Sequence, residues 1–286
     1  MGKLRDKMEA DLDLRNRSVY TKEAYLLRAK HFAEWHGRSP AEMGEAEVRA
    51  YLLYLVREKK VGPATHAMYV AAIKFLYEVT LGRPEVVAGI PYPKRPKKLP
   101  DILSGSQVEG LFAAIRSIKL LAICMTAYGG GLRISEVCEL KPEDIDSARM
   151  LIHVRDGKGS KDRYVPLSPR LLSTLRQYWK HARPKPPYLF PGRIPGRSIT
   201  TAAVEKALAK VVARCAFGKR VTPHSLRHGY ATHQLEVGTN LRVIQRLLGH
   251  SSVQTTARYT HVSVEHIGRI KSPLDLLGTE EGKPLG

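Results

Sequence analysis

Residues 91–100 read Pro-Tyr-Pro-Lys-Arg-Pro-Lys-Lys-Leu-Pro. Each proline fixes φ and removes a backbone donor, so four in ten residues exclude both a helix interior and a central strand. The basic residues between them, Lys94, Arg95, Lys97 and Lys98, exclude burial. The segment is expected to be a stiff, extended, cationic connector. It divides the 286-residue chain into 1–90 and 101–286, in keeping with about two domains for such a length. Its plain role is that of an interdomain spacer; its charge also suits it to lie along a polyanion.

The first part carries helical patterning alone. Val19 to His36 places Tyr25, Ala29, Phe32 and Ala33 on one face and stops at Gly37. Ser39-Pro40-Ala41-Glu42 has the form of a capping box and is expected to open the next helical stretch, which carries Val48, Tyr51, Leu52, Leu55 and Val56. A third helix starts near Pro63 and runs through Tyr69, Ile73, Leu76 and Tyr77 toward Gly82. The second part is mixed. A helix capped at Ser104 runs to about Arg116, and an apolar one from Ile118 to Tyr128 ends at three glycines. Residues 150–154 and 163–167 read as two short strands joined by a glycine-punctuated turn. Helices follow over about 168–181, 199–216, 223–237, 240–248 and 252–260. The expected fold is mainly α (α+β): a helical N-terminal domain, then a mostly helical domain with a small antiparallel sheet.

Charge narrows the function. The net formal charge is +20, and it is spread: 19 basic against 12 acidic residues in 1–99, and 28 against 15 in 100–286. Both parts are therefore expected to meet a polyanion, either nucleic acid or an anionic membrane surface. No stretch approaches the roughly 18 apolar residues of a membrane span. The start, Met1-Gly2-Lys3-Leu4-Arg5-Asp6, lacks the apolar core of a secretory signal, and there is no basic amphipathic anchor. Cys124, Cys138 and Cys215 are odd in number, far apart and set among apolar residues, which suggests buried reduced thiols in a cytoplasmic protein.

Several residues could carry chemistry. Thr222-Pro223 caps a helix that sets His224 and Arg227 one turn apart near its N-terminus, where backbone donors, a guanidinium fork and an imidazole can meet a phosphate. Asn240 caps a helix stopped by Gly249, and His250 is the first residue beyond. Tyr259 offers a phenolic nucleophile. Arg133 follows the triple glycine, with Glu136 one turn on to pair with or orient a basic residue. Taken singly, each has a plain account: a solvated helix face, a loop histidine, a packing tyrosine, a helix-start ion pair.

Taken together they have an order. Gly-Gly-Leu-Arg-Ile-Ser-Glu (130–136), Gly-Lys-Gly-x-Lys-x-Arg (157–163), Pro-His-Ser-Leu-Arg-His (223–228), Leu-Gly-His (248–250) and Tyr-Thr-His (259–261) resemble, in sequence and spacing, the active site of the tyrosine recombinases, the phage-integrase and Xer-type family. The resemblance implies a SAM-like core-binding domain over 1–90, a basic linker over 91–100 and a catalytic domain with a C-terminal tail over 101–286, gripping DNA as a clamp. It implies DNA breakage and rejoining through a 3′-phosphotyrosyl bond to Tyr259. Arg133, Lys158, His224, Arg227 and His250 would assist, with Glu136 behind them. Lys94, Arg95, Lys97, Lys98, Lys161 and Arg163 would contact double-stranded DNA. It further implies no cofactor, no metal, and a homotetramer on two duplexes formed from free monomers or dimers. A type IB topoisomerase and a non-catalytic DNA-binding protein of the same fold remain the alternatives.

The spread of charge predicts a steep salt dependence. Log K for duplex DNA should fall against log salt by about 0.9 for each phosphate neutralised. A filter-binding titration with a slope near zero would contradict a DNA-gripping protein.

Overall fold

The computed structural model describes residues 2–94, 102–155, 162–215, 217–219 and 221–249. The chain forms two compact units, residues 1–98 and 99–286.

The first unit is helical. Helices α1 (Gly2–Leu14), α2 (Val19–His36), α3 (Glu45–Arg57), α4 (Pro63–Phe75) and the short α5 (Glu85–Ala88) enclose two apolar clusters. The larger gathers Phe32, Tyr51, Leu55, Val70, Ile73, Tyr77 and Val87, with Phe32 5.3 Å from Tyr51 and 6.3 Å from Tyr77 between ring centroids. The smaller packs Met8 and Leu12 of α1 on Ala29, Phe75 and Leu76. Leu4, Met8 and Leu12 recur every four residues, a short stripe that the sequence reading passed over. The capping box at Ser39 is a correction. It opens only a 3₁₀ turn, Pro40–Glu42, while α3 starts after Gly44, whose N–H is taken by the Glu47 carboxylate at 2.8 Å. The third helix runs on as a π-helical turn, Leu76–Leu81, to Gly82 at φ +66°.

The second unit begins with α6 (Gly105–Ala114), two residues shorter than the pattern suggests, and the apolar α7 (Ile118–Gly129). Then come α8 (Ile134–Glu139), a 3₁₀ turn (Pro142–Asp144) and three antiparallel strands, β1 (Ile145–Asp146), β2 (Leu151–Val154) and β3 (Arg163–Pro166), in that order across the sheet. Ile152 faces Val165 and Val154 faces Arg163; Ile152, Val154 and Val165 are buried in the core. The expected strand pair is there; β1 adds a two-residue edge too short to read from sequence. Helices α9 (Pro169–Ala182), α10 (Thr201–Val212), α11 (Pro223–Glu236) and α12 (Leu241–Leu248) complete the described unit, and the helix expected over 252–260 lies outside the described residues. Its core centres on α7, with Ala122, Ile123, Cys124 and Ala127 meeting Leu111, Leu171, Leu208 and Leu226.

Cys124 and Cys138 are buried, and burial pushes both thiols up to about 12; Cys215 is only half-buried, and none forms a disulfide. Among the described residues, no helix is long and apolar enough to cross a membrane.

Each unit holds its own apolar clusters. Phe32 is fully buried at the centre of the first. Phe32→Ala should cost roughly 3–5 kcal/mol in that unit through lost burial and the cavity left behind. Urea unfolding followed on the nearby Trp35 would read the loss.

Candidate active site

The N-terminus of α11 forms as its sequence dictates. The Thr222 hydroxyl accepts from the Ser225 N–H at 3.3 Å, and the Ser225 hydroxyl accepts from the Thr222 N–H at 3.1 Å, with Pro223 in the first turn. The two basic residues then part company. His224 is exposed, its ring edge-on to His228 at 4.1 Å. Arg227 turns inward and is 1% exposed.

A buried guanidinium needs acceptors. Arg227 Nη1 donates to the Gly131 carbonyl at 2.8 Å, and Nη2 to the Leu248 carbonyl at 2.6 Å. The first of these carbonyls is aimed by Gly131, which sits at φ +61°. A Cβ there would also stand 2.4 Å from the Tyr230 ring, so only glycine fits.

Arg133 caps α8, as expected. Its N–H donates to Glu136 Oε2 at 2.7 Å, its Nη1 to Glu136 Oε1 at 2.7 Å, and its Nη2 to the Gly249 carbonyl at 3.5 Å. Arg163 reaches the same carboxylate from β3. Its Nη1 and Nη2 donate to Glu136 Oε1 and Oε2 at 3.0 and 2.8 Å, and its Nε to the Leu247 carbonyl at 2.7 Å. Arg227 Nη1 lies 3.7 Å from Glu136 Oε2.

Three arginines from three elements thus meet three successive carbonyls, Leu247, Leu248 and Gly249, where α12 ends. A helix C-terminus leaves such carbonyls unpaired and carries partial negative charge, so guanidinium donors suit it doubly. Glu136 stands across all three. Its side chain is 8% exposed. Burial pushes its carboxyl up, but the hydrogen bonds and charge of Arg163, joined by those of Arg133, prevail and hold it below its ordinary 4.5.

Arg133, His224 and Arg227 line one cleft of about 850 Å³, together with Ser135 of α8 and Lys206 of α10. Guanidinium donors and an imidazole on one wall can hold an oxyanion and move a proton. Among the described residues, no group of three or more His, Cys, Asp or Glu side chains is placed to hold a metal. Lys94 is exposed. Arg95, Lys97, Lys98, Lys158, Lys161, His250 and Tyr259 lie outside the described residues.

Arg163 is a correction. The sequence reading turns it toward DNA; the structure leaves its side chain 9% exposed, with all three nitrogens engaged inside the protein. The signal was present. Arg163 is two residues before the buried Val165, and alternation along β3 puts both on the inner face. The sequence reading sets Arg227 on one helical face with His224, to hold a phosphate; the structure adds its seat on the Gly131 and Leu248 carbonyls.

The chain has relatives. Residues 101–266 match the phage integrase family, and residues 4–85 match the phage integrase N-terminal SAM-like domain. The chain is 46% identical to a provisionally named integrase/recombinase, y4qK, of Sinorhizobium fredii, covering 97% of this chain and 90% of that protein. It is 33% identical to the tyrosine recombinase XerA of Thermococcus kodakarensis over 95% of each. A crystal structure of XerA recombinase is similar with a TM-score of 0.55 and 28% identity, covering 95% of this chain and 99% of that one. The Tn1549 transposon integrase, solved with circular intermediate DNA, shares the fold with a TM-score of 0.74 at 18% identity, over 93% and 97% of the two chains. A SAM-like N-terminal domain followed by a phage integrase domain, with tyrosine recombinases among its relatives, makes this a DNA breaking–rejoining enzyme of the site-specific kind. The chain belongs to the phage integrase family, the tyrosine recombinases.

Glu136 gives a signed pH prediction. A carboxyl held below its ordinary 4.5 stabilises the fold fully above that pH, and the contribution fades as pH falls through the lowered value. Removing one side of a buried ion cluster costs roughly 3–5 kcal/mol. Glu136→Gln should therefore show a deficit of that order at pH 7 that shrinks below pH 4.5, measured by urea unfolding from pH 7 to 3. A deficit constant with pH would remove the charge from this account.

Proposed function

We propose that this protein recombines DNA by two successive transesterifications, with Tyr259 as nucleophile. The observation that carries the reading is the cleft shared by Arg133, His224 and Arg227. In the first step the Tyr259 oxygen attacks the scissile phosphorus. A bond to tyrosine forms at the 3′ side, and the bond to the 5′ oxygen breaks. The phenolic proton passes to His224, and Lys158 gives a proton to the leaving 5′ oxygen. Arg133 and Arg227 steady the non-bridging oxygens, a task worth roughly 3–4 kcal/mol per donor in other enzymes. His250 adds a hydrogen bond. In the second step the 5′-hydroxyl of a partner strand reverses the reaction. The phosphodiester energy is kept in the covalent bond, so neither nucleotide nor metal is called for.

Double-stranded DNA is the substrate, and the net charge of +20 supports binding by both halves, with residues 1–90, the linker residues Lys94, Arg95, Lys97 and Lys98, and residues 101–286 gripping one duplex. Four copies acting on two duplexes would permit strand exchange. Such an enzyme works where DNA is, in the cytoplasm.

The test begins by capturing genomic fragments covalently on the wild-type protein; the enriched sequence, built as a nicked suicide duplex, is the substrate. Tyr259→Phe should bind it normally and form no adduct. Lys158→Ala should cleave about 10²–10⁴-fold more slowly, the usual share of a general acid. A 5′-bridging sulfur, which leaves without a proton, should restore Lys158→Ala and leave Tyr259→Phe inactive. An adduct on Tyr259→Phe would overturn the assignment.

A further inference from the structure

We propose that Arg163 is a positioning residue for this reaction. It would hold Glu136 and the end of α12 in the arrangement from which Arg133 and Arg227 act, and would itself touch no DNA. The inference rests on the function proposed above and assigns a part within it.

Three observations carry it. First, the Arg163 guanidinium faces inward, and each of its nitrogens has a protein acceptor: Glu136 Oε1 and Oε2, and the Leu247 carbonyl. Three of its five N–H groups are spent in this way, and Arg163 does not line the cleft shared by Arg133, His224 and Arg227. Second, Glu136 is shared. Its Oε1 takes Arg163 and Arg133 at 3.0 and 2.7 Å, and its Oε2 takes Arg163 and the Arg133 N–H at 2.8 and 2.7 Å, with Arg227 at 3.7 Å. Without Arg163 the carboxylate charge falls on Arg133 and Arg227 alone and cancels more of the field that a phosphate would meet. Third, the fork lies against Gly249. That residue is left-handed at φ +62°, and a Cβ added to it would stand 3.2 Å from Arg163 Nη1. Arg163 thereby braces the backbone whose Leu248 and Gly249 carbonyls hold Arg227 and Arg133.

The role is one of geometry and charge sharing. Lysine keeps the charge but is a point donor on a flexible stem, and it cannot span two carboxylate oxygens and a carbonyl at once. Glutamine removes the charge. Neither variant should alter contacts to phosphate.

The experiment uses the full chain on the suicide duplex defined above and measures single-turnover adduct formation and the salt slope of binding. Arg163→Gln and Arg163→Lys should each slow adduct formation about 10–100-fold, as a fork that orients neighbours would. Log K against log salt should keep its wild-type slope for both, whereas loss of a phosphate contact would flatten it by about 0.9. The double variant Arg163→Gln with Glu136→Gln should cleave no more slowly than Glu136→Gln alone, because Arg163 acts through that carboxylate. The double variant leaves no unpaired charge of this pair, so it also serves if Arg163→Gln alone fails to fold. A flatter salt slope, a wild-type rate in Arg163→Lys, or defects that multiply in the double variant would each overturn the proposal. No adduct from the wild-type protein on any DNA would instead overturn the function on which it rests.

Discussion

One carboxylate organises the second unit. Glu136 is enclosed by Arg133, Arg163 and Arg227, and a buried guanidinium is tolerable only where charge and acceptors compensate it. The carboxylate supplies the charge, and the carbonyls ending α12 supply acceptors. Remove the carboxylate and three cations repel one another; remove the carbonyls and their remaining donors lose partners. The cluster keeps an excess of two positive charges, with Arg163 and Arg227 held largely out of water. Pre-set charge of this kind is what the proposed chemistry at phosphate calls for.

The cluster also explains why its residues are scattered along the sequence. Arg133 comes from the start of α8, Arg163 from the first residue of β3, Arg227 from the second turn of α11, and their carbonyl acceptors from Gly131 and the end of α12. α8, β3 and α12 are short, and α11 enters the cluster near its start. Tyr230, Ala231, Ile244 and Leu248 form a small apolar cluster between α11 and α12. Gly131 lets Tyr230 approach, so packing and hydrogen bonding fix the same two helices.

Much of this was legible in the sequence. Periodicity and caps placed α2, α4, α7, α9 and α11 closely, because their apolar faces and their Ser, Thr or Pro starts agree. The strand pair followed from alternation around a glycine-rich turn. The misses have physical causes. α1 buries little beyond Met8 and Leu12, so its stripe is faint against charged neighbours. Ser39 carries a cap signature, but the chain takes only a 3₁₀ turn before Gly44 restarts it. At the candidate site, residue types and spacing singled out Arg133, Glu136, His224 and Arg227. They did not show that Arg227 is buried or that Arg163 faces inward, since both depend on carbonyls contributed by distant segments. Only a period-two reading of Arg163 against Val165 held that information.

The separate cores have an evolutionary reading. The apolar clusters of the first unit draw only on residues up to 90, and the large core of the second draws only on residues from 103 onward. Among the described residues, the hydrogen bonds of the arginine cluster lie between residues 131 and 249. A genetic crossover within the proline-rich segment would therefore give a chimera that inherits each core, and the whole cluster, from a single parent. Descent can pair one chemistry with many different N-terminal halves.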